Sequence, residues 1–328
     1  MIGDGRIDIA AGEPQFLDHL LPVWQQLPKR HRGCVLYTKP ALEGYTKRMA
    51  GHSSPLRPAS NRATLVASIS DLNVLRRAQR RLVAYMEHGV GQSYHGDKRT
   101  DRHPSYAGGP GREHCGLIMA PNELAAAQWR KTYPNVPVHV IGATRALAAP
   151  AHPDTPCLAI SFHWHGGMPE MQNAFTHYHR CLAQLAEQLP VIGHGHPRML
   201  GALKVRYRRA GIEWVPNLAV VARRATVYAV DNSSTLYELG RTRPVIALNQ
   251  PHYRKEVEHG LRFWSHIPGP QVEDCETLLA TARRLLYEGE TPAELARRQQ
   301  VMAEVFPRLD GAAEASRLLV SWLTTGSA

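Results

Sequence analysis

Ala63–Met86 reads ATLVASISDLNVLRRAQRRLVAYM, and its two ends carry the same signal. Ala63–Ser68 and Arg81–Met86 are short apolar runs of strand length. Leu72–Arg80 between them spaces its apolar residues as one face of a helix, with Arg76, Arg77 and Arg80 on the wet side. A strand, a helix and a second strand in this order join by a right-handed crossover, so the two strands are predicted to lie parallel in one sheet. Outward from this stretch the alternation continues. Gly33–Lys39 (GCVLYTK) predicts a buried strand before it. A strand at Gly116–Ala120 (GLIMA), a helix over Glu123–Thr132 and a strand at Val136–Ile141 follow it.

Ala146–Pro156 (ALAAPAHPDTP) breaks the pattern with three prolines, small residues and no periodicity, the signature of a linker. Beyond it the alternation resumes. Strands are predicted at Cys157–Phe162, Val191–Gly193, Thr226–Val230 and Val245–Leu248, with helices over Asn173–Gln188, Leu200–Ala210, from Thr235 and from Cys275 onward. The fold class expected is therefore α/β, with two Rossmann-like domains built on parallel sheets. Residues 1–145 form the first domain, 146–156 the linker and 157–310 the second domain. Residues 311–328 form a C-terminal helix that packs back on the first domain.

The 328 residues suffice for two domains of ordinary size, and 43% hydrophobic against 20% charged residues lets each bury a normal core. No apolar run approaches the ~20 residues of a membrane-spanning helix. Met1–Pro14 shows no basic region followed by an apolar run, so no secretory signal is expected. Five scattered cysteines, Cys34, Cys115, Cys157, Cys181 and Cys275, suggest neither a disulfide framework nor a zinc site, and a reducing, cytoplasmic setting is the expectation. The net charge of +11 favours an anionic partner without choosing one. Basic faces at Arg76-Arg77, Arg80-Arg81 and Arg206-Arg208-Arg209 admit a nucleic-acid-binding protein as one reading. Aromatics at 7%, with no helix-turn-helix, finger or RNA-binding signature, argue against it.

Ligands of open parallel sheets collect at the carboxyl ends of the strands. Three segments fall there. Glu87-His88-Gly89-Val90-Gly91-Gln92 follows the strand ending at Met86. A histidine leaving a strand into a glycine turn suits a general base, with Glu87 beside it to orient or polarise it and Gly89 and Gln92 as further substrate contacts. The alternative is a structural histidine at a strand end. Gly193-His194-Gly195-His196-Pro197-Arg198 follows another strand, and His196 with Arg198 suits phosphate oxygens, although most basic glycine-rich loops are only turns. Asp231-Asn232-Ser233-Ser234-Thr235 opens a helix. Its hydroxyls are expected to cap that helix, and the same N-terminus offers N–H groups to a diphosphate. Glu238, in that helix, is placed either on a ribose or as a solvated surface carboxylate.

Together these segments resemble the CDP-glycerol glycerophosphotransferases, GT-B-like enzymes of wall teichoic acid polymerisation. The match lies in His88-Gly89 closing a strand, in His196-Pro197, in Asp231-Asn232-Ser233-Ser234 before a helix, and in Arg243-Pro244-Val245-Ile246 leading into a strand. The resemblance spans roughly Arg81 to Leu248. It implies a GT-B fold, with an N-terminal acceptor domain and a C-terminal nucleotide-donor domain whose sheets face a central cleft. It also implies His88 as catalytic base, with His196, Ser233 and Ser234 on the donor's phosphates; Arg198, Asp231, Thr235 and Glu238 complete the donor-binding set. Family members carry an aromatic before the histidine and Thr-Pro-Leu-Lys-like residues after the glycine. Here Glu87 and Val90-Gly91-Gln92-Ser93-Tyr94 stand in their place, a version similar to glycosyltransferase relatives, some carried by bacteriophages. This implies transfer of a sugar from a nucleotide-diphosphate donor to a hydroxyl on a protein or glycan, with glycerol phosphate from CDP-glycerol as the alternative.

Two further readings stay open on the sequence. His163 and His165, two apart at a strand end, repeat the spacing of His194 and His196, so two His-x-His pairs suit a metal. No Asp-x-Asp stands in a strand-end loop, which favours metal-independent catalysis; His163 and His165 are then expected at the cleft rim as substrate contacts, and no cofactor is expected beside the nucleotide-diphosphate donor. A non-hydrolysing nucleotide-sugar 2-epimerase shares the layout and would use carboxylates, here Glu87, Glu113, Asp231 and Glu238.

Overall fold

The computed structural model describes residues 3–51, 53–56, 60–90, 111–164, 173–253 and 266–326. The described residues of Met1–Val90, Gly96–Ala146 and Phe306–Ala328 form one compact unit, and those of Leu147–Val305 form a second.

The first unit is built on seven parallel strands: β1 (Ile7–Ala11), β2 (Arg32–Tyr37), β3 (Ser54–Pro55), β4 (Ala63–Val66), β5 (Val83–Met86), β6 (Cys115–Ala120) and β7 (Val138–Val140). Their order across the sheet is β3-β2-β1-β4-β5-β6-β7, and neighbouring strands all run parallel. The crossovers reverse direction between β1 and β4, which opens a crevice beyond the carboxyl ends of those two strands. Helices α1 (Pro14–Gln26), α2 (Glu43–Ala50), α3 (Ile69–Arg77) and α4 (Glu123–Thr132) connect the strands.

Strand alternation sorts the side chains onto two faces. Ala84 and Met86 join α1 and the C-terminal helix Gly311–Thr325 in one core, where Phe16, Leu17 and Leu20 meet Leu318, Leu319 and Trp322. Val83 and Tyr85 join α3 and α4 in the other, around the fully buried Trp129. A Cβ added at Gly116 would lie 2.6 Å from Trp322 Cζ2, so glycine is what lets the last helix seat on the sheet.

Arg80 departs from its sequence reading. The helix stops at Arg77, and Arg80 turns inward, 4% exposed, with Nη1 3.4 Å from both the Asp8 carboxylate and Thr64 Oγ1. The turn responsible is a Schellman motif. Gln79 N–H donates to the Arg76 carbonyl at 3.1 Å and Arg80 N–H to the Leu75 carbonyl at 3.0 Å. Gln79 adopts φ +55°, the only non-glycine at positive φ among the described residues. Glycine normally fills this position, and a side chain there costs about 1 kcal/mol.

The second unit has six parallel strands, β8 (Leu158–Phe162), β9 (Val191–Gly195), β10 (Glu213–Trp214), β11 (Val227–Val230), β12 (Val245–Leu248) and β13 (Gln271–Val272), in the order β10-β9-β8-β11-β12-β13. Its reversal point lies between β8 and β11. Helices α5 (Phe175–Tyr178), α6 (Leu182–Gln188), α7 (Leu200–Arg209), α8 (Leu218–Arg224), α9 (Thr235–Gly240), α10 (Cys275–Tyr287) and α11 (Pro292–Val305) surround it; α12 is Gly311–Thr325. The single helix expected over Asn173–Gln188 is two pieces, α5 and α6, separated by a 3-10 turn at His179–Cys181. Cys181 of that turn forms a disulfide with Cys275 at the start of α10, with Cα atoms 5.8 Å apart. This corrects the expectation of unpaired cysteines: a sequence separation of 94 hides the proximity that the sheet crossovers create. No helix among the described residues is long and apolar enough to cross a membrane.

Candidate functional site

His88 leaves β5 at its carboxyl end, and Gly89 turns the chain at φ +73°, a conformation that favours glycine. The imidazole is 9% exposed, and its Nδ1 lies 2.5 Å from the carbonyl of Ala67, the residue following β4. A carbonyl only accepts, so Nδ1 carries the proton and the basic lone pair is on Nε2. Phe16 of α1 meets the ring edge-on at 4.6 Å, and His19 lies 6.2 Å away. Burial, then Arg145 and then His88 hold His19 well below the usual histidine range, so it stays neutral beside His88. The structure thus aims His88 from β5 toward β4, one of the two strands at the reversal point.

Glu87 does not orient His88. Adjacent strand residues point to opposite faces, and the Glu87 carboxyl accepts a hydrogen bond from Trp129 Nε1 at 2.6 Å on the α4 side. Burial pushes its pKa up to about 8, with the Trp129 bond opposing. Glu87 is therefore mostly protonated at neutral pH. Gln92 lies outside the described residues, as does His165.

In the second unit the reversal point is flanked by His163 after β8 and Asp231 after β11. His163 and His196 meet edge-on with ring centroids 4.9 Å apart, and Arg198 lays its guanidinium 4.7 Å over the Trp164 ring. His196 Nδ1 accepts the Arg198 backbone N–H at 3.2 Å, which assigns the neutral ring's proton to Nε2 and makes that nitrogen a donor. An imidazole N–H and an exposed guanidinium at one strand-end loop can bind an anion. His194 is used differently: Nδ1 lies 2.8 Å from the Val215 carbonyl and the ring stacks on Trp214. The described residues hold no group of three or more His, Cys, Asp or Glu fit to bind a metal ion.

The Asp231–Glu238 segment folds more tightly than a ligand loop would. Asp231 is fully buried, and its two oxygens accept the backbone N–H groups of His163 at 2.8 Å and Ala174 at 2.9 Å. It ties the end of β11 to the loop after β8, which is a scaffold role rather than the donor contact expected. Ser234 occupies the N-cap of α9 without a side-chain cap bond, and the expected hydroxyl cap comes from Ser233, whose Oγ accepts the Thr235 backbone N–H at 3.4 Å. Ser233 Oγ also accepts from Thr235 Oγ1 at 2.9 Å, and Thr235 Oγ1 lies 2.8 Å from Tyr228 Oη. Glu238 is 4% exposed, which excludes the solvated surface carboxylate. Arg243 is buried as well. Its guanidinium donates to the carbonyls of Ala222, Ala225 and Ala148, and burial lowers its pKa to about 10.

Trp164, His19 and Phe16 are the site neighbours the sequence reading passed over. Trp164 stands between His163 and His165, the pair already singled out at that strand end. The α1 pair had a usable signal in the amphipathic spacing of PQFLDHLLPVWQQ.

No protein-family model matches the chain, and no curated protein sequence does. Solved structures do. The wall teichoic acid polymerase TagF, soaked with CDPG, aligns with a TM-score of 0.61 at 10% identity, over 99% of this chain and 89% of that one. UDP-N-acetylglucosamine 2-epimerase from Rickettsia bellii gives 0.58 at 15%, over 97% and 96%. The glycotransferase of kitacinnamycin gives 0.52 at 14%, over 97% and 99%. At these identities the likeness is one of fold. The chain has the GT-B fold: α/β, with two Rossmann-like units on parallel sheets.

Proposed function

We propose that this protein is a glycosyltransferase that moves a sugar from a nucleotide-diphosphate donor to an acceptor hydroxyl, with His88 as general base. The observation that carries the reading is the tautomer of His88. With Nδ1–H donated to the Ala67 carbonyl, Nε2 is left as the basic nitrogen at the carboxyl end of a sheet strand. In the reaction the acceptor oxygen forms a bond to the anomeric carbon while its proton passes to Nε2. The bond from that carbon to the diphosphate breaks, and the nucleoside diphosphate leaves with the electron pair.

His196 and Arg198 neutralise the departing phosphates, aided by the N–H groups around Ser233–Thr235 and with His163 at the rim. This is a metal-independent route, supported by the lack of an Asp-x-Asp pair in a strand-end loop. The acceptor is a hydroxyl on a protein or glycan. Glycerol phosphate from CDP-glycerol is the second reading, supported by the fold likeness to TagF. Of the four carboxylates that the 2-epimerase reading would use, Glu87 is committed to Trp129 and Asp231 to backbone amides, which leaves that reading Glu113 and Glu238.

A thermal-shift panel of CDP-glycerol and UDP-, GDP- and dTDP-sugars identifies the donor, since a ligand bound to the native state alone raises Tm. With that donor, His88→Ala is expected to lower transfer by roughly 10²–10⁴-fold while the donor-induced Tm shift persists. An active His88→Ala enzyme removes the assigned base. Epimerised sugar formed without acceptor replaces transfer by epimerisation.

A further inference from the structure

We propose that the first unit carries a second anion site, for an anionic phosphate group, in the basic hollow lined by Arg76, Gln79, Arg80, Arg81 and His114. The hollow has a volume of about 430 Å³, within the range of small-molecule sites. It opens at the amino ends of the strands. Arg81 lies two residues before β5 and His114 one residue before β6, and the pairing of Val83 with Cys115 sets the two side by side. The last turn of α3 adds Arg76. His88 stands at the other end of β5. Seven residue steps of extended chain lead to it from Arg81, a span of about 23 Å, so one small ligand does not serve both places. The proposal is therefore independent of the role assigned to His88.

Among the described residues the charge in the hollow is unbalanced. Asp8 answers Arg80 at 3.4 Å, but among the described residues no carboxylate pairs with Arg76 or Arg81. Glu113, the nearest acidic neighbour in sequence, is exposed and accepts the Gly111 N–H at 3.3 Å. His114 Nε2 is buried and finds no hydrogen-bond partner among the described residues. Burial, then Arg76, lowers the His114 pKa, an effect that a bound anion would reverse. Clustered like charges repel, and guanidinium forks match phosphate oxygens in pairs.

The backbone supplies an independent sign. Gln79 holds a left-handed conformation where glycine closes the Schellman turn with less strain, and its side chain is one wall of the hollow. A strained non-glycine residue at this point fits a binding role better than a purely structural one.

The test follows the His114 imidazole Cε1–H NMR signal, assigned by its loss in His114→Gln. The full-length protein is titrated at constant ionic strength with inorganic pyrophosphate and, separately, with phosphatidylglycerol or phosphatidylcholine vesicles. The expected result is a saturable shift with a raised His114 pKa. In the Arg76→Ala/Arg81→Ala variant, binding should be at least tenfold weaker. Arg81→Gln, a change at an exposed residue, should weaken it by itself should the double variant misfold. A response to pyrophosphate assigns a soluble phosphate ligand, and a response to phosphatidylglycerol vesicles alone assigns a lipid headgroup. The site is rejected if neither moves the signal, if the arginine variants leave the response intact, or if sodium chloride reproduces it.

Discussion

The two units share a parallel topology with one reversal of crossover direction, yet they use the polar residues at their strand ends in opposite ways. In the first, His88 anchors only Nδ1 on a backbone carbonyl, and the proposed chemistry falls to Nε2. In the second, Asp231 gives both carboxylate oxygens to backbone amides and Arg243 divides its guanidinium among three carbonyls, so two conspicuous charges are internal fasteners. Burial decides the difference. A charge removed from water must be matched by hydrogen bonds on every side, and once matched it has little left for a ligand.

The largest expected effect tests that contrast directly. Asp231→Ala removes the acceptor for two buried N–H groups, each a charge-assisted bond of about 1.5–3 kcal/mol. Denaturant unfolding should show the second unit destabilised by about 3–5 kcal/mol, with the transition of the first unit unmoved. Asp231→Asn, which retains one acceptor oxygen, should cost less. If Asp231→Ala leaves stability intact and weakens donor binding instead, the contrast fails and Asp231 is a ligand contact after all.

Much of this architecture was readable in advance, for a physical reason. Buried parallel strands are continuous apolar runs, and Ala63–Val66, Val83–Met86, Cys115–Ala120 and Val245–Leu248 announce themselves as such, as does the helix Glu123–Thr132 with its Asn122 cap. β1 is not legible although it lies inside the first sheet, between β2 and β4, because Asp8 interrupts the short run Ile7–Ala11. That aspartate makes sense only beside Arg80 and Arg62, partners far away in sequence. The strand-end histidines were also legible, since a parallel sheet dictates where its ligands collect. What the letters did not carry was direction: which of Glu87 and His88 faces α4, or that Asp231 turns inward. Those outcomes depend on strand register and on loop amides that no local pattern encodes.

Glu87 gives the next effect in size. Its pKa of about 8 lies above the 4.5 of an unperturbed glutamate, so between those values the folded state binds more protons than the unfolded one. Stability must then fall as pH rises through this window, with a slope of up to about 1.4 kcal/mol per pH unit, and level off outside it. Glu87→Gln keeps an acceptor for Trp129 and cannot ionise, so subtracting its Tm–pH profile from that of the wild type should isolate the slope. Identical profiles would mean that Glu87 is ionised in the folded protein. The proposed separation of Glu87 from the chemistry also requires Glu87→Gln to transfer at near wild-type rate.

The smallest effect has the opposite sign. At φ +55°, Gln79 sits where its Cβ crowds the backbone, and Gln79→Gly removes that strain. Glycine also gives the unfolded chain more freedom, which offsets part of the gain. The net expectation is a stabilisation of about 0.5–1 kcal/mol, read as a higher denaturant midpoint at unchanged m. Gln79→Ala keeps a Cβ in the same place and should gain nothing, which separates relief of backbone strain from loss of the long side chain. A Gln79→Gly protein less stable than wild type would mean that the amide makes contacts outweighing the strain. The first unit would then be holding this turn, like the second unit's Asp231, by a polar fastener.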